Sequence, residues 1–269
     1  MPSEMQCSSR CFINLVLFTI VLLVTPLPAS SHGDLALPAL RAPEVYGDVM
    51  IDRSSVEKKV TPVVFSHWVH RVNYTCRVCH TELEFAMKAN ETGIVCNNGT
   101  TKDKYCFVCH NGKTVDGVTA FASTGPEGEN CKRCHNADAS PNRKKFEALK
   151  SKLPSADFGN EIDWVRALTE GKIKPKKSLL KDAPPIALDR TLTLQAEMIG
   201  IPPAIFSHKI HTAQLDCSNC HPEIFNIKKK TTKHFSMSRI FNNEFCGVCH
   251  LRIAFPLNDC RRCHPGMKK

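Results

Sequence analysis

Cys-x-x-Cys-His occurs six times in this chain, at Cys76-Cys79-His80, Cys106-Cys109-His110, Cys131-Cys134-His135, Cys217-Cys220-His221, Cys246-Cys249-His250 and Cys260-Cys263-His264. Two thiols at that spacing reach the two vinyl groups of one porphyrin, and the His that follows is carried under the iron as an axial ligand. Zinc ribbons and thioredoxin-like redox sites also use Cys-x-x-Cys, but neither chemistry needs a His after every second Cys. The pattern therefore specifies six covalent c-type haems. It accounts for twelve of the fifteen cysteines. Cys7 and Cys11 sit before or at the start of an apolar leader, and Cys96 reads as an unpaired loop thiol, with intermolecular pairing the alternative.

Each iron has one further axial position. Six of the twelve histidines lie outside the motifs: His32, His67, His70, His208, His211 and His234. His32 would begin the mature chain, where fraying disfavours ligation. Five histidines then face six positions, so at least one iron takes another ligand or stays open. His67 and His70, like His208 and His211, are one helical turn apart, and because one iron cannot use both, each pair serves two haems. For the third haem of each half, Phe85-Ala86-Met87 and Phe235-Ser236-Met237 offer Met as the common candidate, with Met87 in the first half and Met237 or His234 in the second. Met ligation raises the haem potential.

The elements that hold these residues repeat. Phe65-Ser66-His67-Trp68-Val69-His70 recurs 141 residues later as Phe206-Ser207-His208-Lys209-Ile210-His211, each six residues ahead of a motif. Tyr105 and Phe245 before the second motif of each half, and Ala120-Phe121 and Ala254-Phe255 before the third, keep the same order. The chain thus reads as two three-haem units. Residues 1–31 form an export signal, with Arg10 ahead of the apolar run 12–24 and cleavage near Ser31. Residues 32–62 are a lead-in, 63–136 and 201–269 the two modules, and 137–200 a basic, Pro-containing linker holding neither Cys nor His. Within it, Asn160, Ile162, Val165, Leu168 and Gly171 predict one short capped helix; the rest, including Lys172, Lys174, Lys176 and Lys177, reads as exposed connector.

Removing 31 residues from 269 leaves about 238, with only 7% aromatics. Two small units of that size struggle to bury a core. The fold class expected is mainly irregular chain with short α-helices wrapped around covalent haems, as two tandem triheme modules joined by a linker. Little strand is expected beyond a hairpin near residues 63–65 and its counterpart. The formal charge of +10 falls to roughly +4 once each ferric haem and its propionates add about −1. Nucleic acid is a poor reading of that balance. Lysines pairing with propionates or with an acidic partner fit better.

The FSHxxH segment ahead of three CxxCH motifs resembles the triheme cytochrome c7 family of the cytochrome c3 superfamily, over residues 65–135 and 206–264. The resemblance implies that His67 joins His80, His70 joins His110 and Met87 joins His135, and that His208 joins His221, His211 joins His250 and Met237 or His234 joins His264. It also implies an electron-transfer protein rather than an enzyme, placed in the periplasm or cell envelope or exported beyond it. Its partners would be other redox proteins: cytochromes, a quinol-oxidising membrane complex and an outer-membrane conduit. Nucleic acid and stable membrane insertion are not expected. Two alternatives stay open: a multihaem reductase with an open axial site at the third haem, and a subunit of a membrane-associated or polymeric cytochrome complex.

Overall fold

A computed structural model describes residues 37–94, 103–115, 117–123, 130–136, 143–180, 186–228 and 231–268. The leader, His32 and Cys96 lie outside the described residues. Residues 37–269 form one compact unit. In chain order the elements are β1 (Asp48–Ile51), α1 (Arg53–Glu57), β2 (Val63–Ser66), α2 (His67–Arg71), β3 (Thr114–Val115), β4 (Val118–Thr119), α3 (Cys131–Cys134), α4 (Arg143–Lys150), α5 (Trp164–Thr169), β5 (Thr191–Leu194), β6 (Ala204–Ser207), α6 (His208–Thr212), α7 (Met237–Phe241), α8 (Gly247–His250) and α9 (Cys260–Cys263). Every described helix is short and the rest is largely irregular, as expected of chain that wraps a large prosthetic group. No described helix is long and apolar enough to cross a membrane.

The hairpin expected at residues 63–65 is present, and so is its repeat. β1 pairs antiparallel with β2, Asp48 opposite Ser66 and Ile51 opposite Val63. β5 pairs with β6, Thr191 opposite Ser207 and Leu194 opposite Ala204. Both long strands run directly into a helix that opens on a histidine, α2 at His67 and α6 at His208. In the second unit the Ser207 hydroxyl accepts the Ile210 amide at 3.4 Å, an N-cap that starts the helix at this register. A third small ladder, β3 with β4, follows the second motif.

The connector departs from expectation. Instead of an exposed strap, residues 143–173 supply three of the four side chains of a buried cluster: Phe146, Ile162 and Trp164 pack with Trp68 of α2, bordered by Val69, Val72, Leu149, Leu153 and Ile173. Phe146 is fully buried and lies 5.2 Å, ring to ring, from Trp68. Apolar residues at Phe146 and Leu149 lie three apart on α4, which presents them on one face. The expected helix exists as α5, but its cap is Asp163, whose carboxylate accepts the Arg166 amide at 3.1 Å. Asn160 instead ties the lead-in to α5. It is buried, its amide donates to the carbonyls of Pro43 (2.8 Å) and Tyr46 (2.7 Å), and its oxygen accepts the Trp164 indole N–H (3.2 Å). Of the lysines read as exposed connector, Lys172, Lys174 and Lys177 are exposed while Lys176 is half-buried. The Lys176 backbone bonds to both Asn73 (2.7 Å) and Thr75 (2.9 Å).

Lead-in and connector together join the two repeats. Tyr46 donates its hydroxyl to the Ala254 carbonyl at 2.8 Å, and Asn258 donates to Pro38 at 3.2 Å. Arg71 lies over the Trp164 ring, 4.3 Å from its centroid. Arg262, between the cysteines of the last motif, forks onto both Asp163 oxygens at 3.4 and 3.1 Å. Burial pushes the Asp163 pKa up, but hydrogen bonds from Arg166 and Arg262 outweigh it, so the carboxyl titrates below its usual range. A depressed carboxyl contributes stability above its unfolded pKa and loses it as pH falls through the folded value. Asp163→Ala, which removes a cap and leaves Arg262 without this partner, is expected to lower unfolding stability by about 2 kcal/mol at pH 7. In urea unfolding the gap between parent and variant should close as pH falls below about 4; a gap independent of pH would discount the ion pair.

Candidate haem-binding sites

Ten of the eleven described histidines share one feature: the ring Nδ1 lies within hydrogen-bond distance of a backbone carbonyl. His67 meets Gly47 (2.7 Å), His70 meets Ser66 (3.0 Å), His80 meets Phe85 (2.9 Å), His110 meets Phe121 (3.2 Å) and His135 meets Thr61 (2.6 Å). In the second unit His208 meets Arg190 (3.0 Å), His211 meets Ser207 (2.8 Å), His221 meets Phe225 (2.6 Å), His250 meets Phe255 (3.0 Å) and His264 meets Pro202 (2.7 Å). A carbonyl only accepts, so each Nδ1 carries the proton and each Nε2 keeps its lone pair for a metal. Burial chiefly lowers the pKa of His67 to about 3 and of His250 to about 4, and lowers those of His70, His80, His110 and His211 as well. These imidazoles are neutral at pH 7, the state in which they ligate.

The rings also face one another across a fixed gap. Centroids are 6.5 Å apart for His67 and His80, 6.2 Å for His70 and His110, and 6.3 Å for His211 and His250. Two imidazoles on opposite faces of one metal, with nitrogen–metal bonds of about 2 Å, have centroids roughly 6.3 Å apart. The three pairs fit one iron each. His67 and His80 are nearly coplanar in orientation (6°), while the other two pairs are steeply inclined (63° and 68°).

The thiols are placed to match. None of the twelve motif cysteines is held in a disulfide. Burial raises the pKa of Cys79, Cys246 and Cys249 to about 12, of Cys263 to about 11, and also raises those of Cys76 and Cys220. They are therefore protonated thiols, the form that adds S–H across a vinyl double bond. Neutral histidines with available Nε2 atoms and paired thiols are the donor set that haem c requires.

Sequence reasoning missed the role of the phenylalanines. Phe65 stacks on His70 at 4.3 Å and meets His67 edge-on at 4.9 Å; Phe206 does the same to His211 (4.4 Å) and His208 (4.9 Å). Phe121 and Phe255 each pack on the His whose Nδ1 their own carbonyl holds, at 4.5 and 4.3 Å. The signal was present in the repeated Phe-Ser-His and Ala-Phe pairs.

The loops that follow His80 and His221 place the two Met residues at different positions of the repeat. His80 and His221 are anchored by Phe85 and Phe225, and the loop beyond each is closed by the same bond, Ala86 N to Thr92 Oγ1 (2.8 Å) and Asn226 N to Thr232 Oγ1 (3.1 Å). The structural repeat here is 140 residues, so Met87 corresponds to exposed Ile227 and not to Met237. Met87 lines a cavity of about 650 Å³ together with His80, Tyr105, Asn219, His221 and Glu223. Met237 opens α7, capped by Ser236 Oγ accepting the Arg239 amide at 3.2 Å. A Cβ on Gly247 would stand 1.9 Å from the Ile240 carbonyl, so α7 can press against α8 only because that residue is glycine. The first unit has Phe107 at the matching position. His234 is exposed, with φ at +56°, and makes no Nδ1–carbonyl bond. Met237→Ala is expected to convert one haem to a high-spin form in low-temperature EPR, and His234→Ala to leave the spectrum unchanged; the reverse result would transfer the ligand role to His234.

Repeated motifs, pinned histidines and paired thiols on short helices define a multihaem c-type cytochrome. A family model described as cytochrome c7 and related cytochrome c matches residues 63–136 and 204–265, half of the chain, and the chain belongs to that family. Its covalent cofactor is haem c. Among solved structures it is similar to a c7-type three-heme cytochrome domain, 33% identical over 29% of this chain and 96% of that one, with a TM-score of 0.27. It is also similar to the C-terminal hexaheme fragment of a dodecaheme cytochrome c, at 24% identity over 81% of this chain and 96% of the fragment, with a TM-score of 0.25. The N-terminal hexaheme fragment gives 22% identity, 82% and 99% coverage and a TM-score of 0.24. No curated protein matches the sequence.

Proposed function

We propose that this protein is a hexahaem electron carrier of the periplasm or cell envelope, relaying electrons between inner-membrane donors and terminal or outer-membrane acceptors. Cytochrome c7-type domains are typically electron carriers. The observation that carries the reading further is the set of opposed, Nδ1-anchored imidazoles at 6.2–6.5 Å. Haem c, when bound, supplies one-electron exchange at its iron. The residues of this chain hold and shield it. Cys76 and Cys79, and the cysteines of the other five motifs, would take the thioether links. His67 with His80, His70 with His110, His208 with His221 and His211 with His250 would hold four haems. Met237 with His264 would hold a fifth, and His135 would contribute to the sixth. Carbonyl anchors on the imidazoles keep each ring oriented through a change of charge, which keeps reorganisation small.

A second reading has a specific observation behind it. Met87 has lost its equivalence with Met237, and Phe107 replaces the Gly247 that admits α7, so the third motif has no described sulfur partner of that kind. An open axial position at His135 would make that haem ligand-accessible and suit a reductase. Low-temperature EPR of the oxidised, mature protein, with haem mass measured on the same sample, separates the two. Six low-spin haems support the carrier; a high-spin haem at substantial occupancy favours the reductase; a mass short of six haems removes the stoichiometry.

A further inference from the structure

The first motif of one repeat packs directly on the first motif of the other. The turn Val78–Glu82 lies against Cys217–Asn219: Arg77 N donates to the Gln214 carbonyl at 2.9 Å, and Asn219 Nδ2 donates to Thr81 Oγ1 at 2.9 Å. His80 and His221 line the same cavity. The Cys249 thiol is raised, after burial, by the neighbouring Cys76 and Cys220 thiols, so both repeats bring attachment points to this junction.

Three charged side chains are enclosed there. Arg77 Nη2 is 3.6 Å from Glu82 Oε1 and 3.7 Å from Asp216 Oδ2, and the side chains are 15%, 9% and 25% exposed. Glu82 also accepts the Leu179 amide of the connector at 2.7 Å. The cluster is electrostatically incomplete. Arg77 Nε and Glu82 Oε1 are buried without a hydrogen-bond partner among the described residues, and two carboxylates face one guanidinium. Enclosed charge acts strongly over several ångströms, because little water screens it. Arg77 follows Cys76, Glu82 lies two residues past His80 and Asp216 precedes Cys217, so the cluster brackets both attachment sites.

We propose that Arg77, Glu82 and Asp216 form a charge cluster that sets, across the module junction, the reduction potentials of the haems carried by the first and fourth motifs. The inference rests on haem attachment at those motifs. Its net negative charge favours the ferric over the ferrous form, and because Asp216 belongs to one repeat and Arg77 to the other, each repeat tunes the haem of its neighbour. These three are positioning residues for electron exchange; none is assigned to the iron.

The test is a redox titration of the holoprotein, followed haem by haem by NMR, for Asp216→Asn and Arg77→Gln. Asp216→Asn should raise, and Arg77→Gln lower, the reduced-to-oxidised ratio of the first- and fourth-motif haems at fixed potential. A three- to tenfold change is expected, roughly 30 to 59 mV at 59 mV per decade for one electron. Shifts of opposite sign confined to these two haems support the cluster. Shifts of the same sign in both variants would mean that the junction has merely loosened and admitted water, and would overturn the proposal. So would unchanged potentials or an equal shift of all haems. Peptide mass spectra of the parent protein report haem at each motif; an unmodified first or fourth motif would overturn the attachment reading and this inference with it, whereas full haem mass with unmoved potentials overturns this inference alone.

Discussion

Replacing His211 by Ala is expected to turn one low-spin haem into a high-spin, ligand-accessible one while covalent haem mass stays constant. His211 is held on two sides, by the Ser207 carbonyl at 2.8 Å and by the Phe206 ring at 4.4 Å, and it faces His250 across 6.3 Å. The thioether links depend on Cys246 and Cys249, so the haem stays attached when its sixth ligand is lost. Free imidazole added to the variant should restore the low-spin spectrum, because the cavity left by the side chain keeps its shape between Phe206 and the helix. A variant that remains fully low-spin without added imidazole would sink the pairing of His211 with His250. The same substitution at His70 is the internal control, since Phe65, Ser66 and His110 build the same arrangement there.

Phe146→Ala is expected to destabilise the holoprotein by about 3 to 5 kcal/mol, the range for deleting a fully buried aromatic ring. Phe146 stands in a segment that has no haem ligand, so an exposed tether would respond with almost no change in stability. Here its ring closes the cluster of Trp68, Ile162 and Trp164, and Trp68 lies between the two histidines of α2. The urea midpoint should therefore fall well below that of the parent, accompanied by altered tryptophan fluorescence. A midpoint shift under about 1 kcal/mol equivalent, the size of a surface substitution, would return the connector to the status of a strap. In the holoprotein the loss should also broaden the signals of the haems served by His67 and His70, because the helix carrying both is anchored on that core.

The covalent chemistry was legible because it is local. A CxxCH places both thiols and a histidine within one turn, so identity and spacing suffice, and the FSHxxH repeat similarly carries its two histidines on a single turn between Ser66 and Arg71. The hairpins were legible for the same reason: β-branched and aromatic residues at 63–65 lead straight into that turn. Periodicity also located α5, though it placed the cap three residues early, since Asn160 and Asp163 are both good caps and only the packing of Tyr46 and Pro43 onto Asn160 decides between them.

What depends on distance along the chain could not be read this way. Met87 and Met237 look alike in FxM triplets, yet the loop bonds from Thr92 and Thr232 align Met87 with Ile227, and a glycine ten residues beyond Met237 lets α7 press against α8. The connector looked solvated because its lysines are conspicuous, but four apolar side chains brought together by α4, α5 and α2 bury one another. The Arg77–Glu82–Asp216 cluster joins residues 139 positions apart in sequence and exists only where the two repeats meet. By itself, then, the sequence determined that the cofactor is haem c, because the six CxxCH motifs and the one-turn histidine pairs are short-range patterns. The tertiary structure alone decided how the two repeats are joined and which charges lie between them, because burial and electrostatic screening are properties of the packed chain.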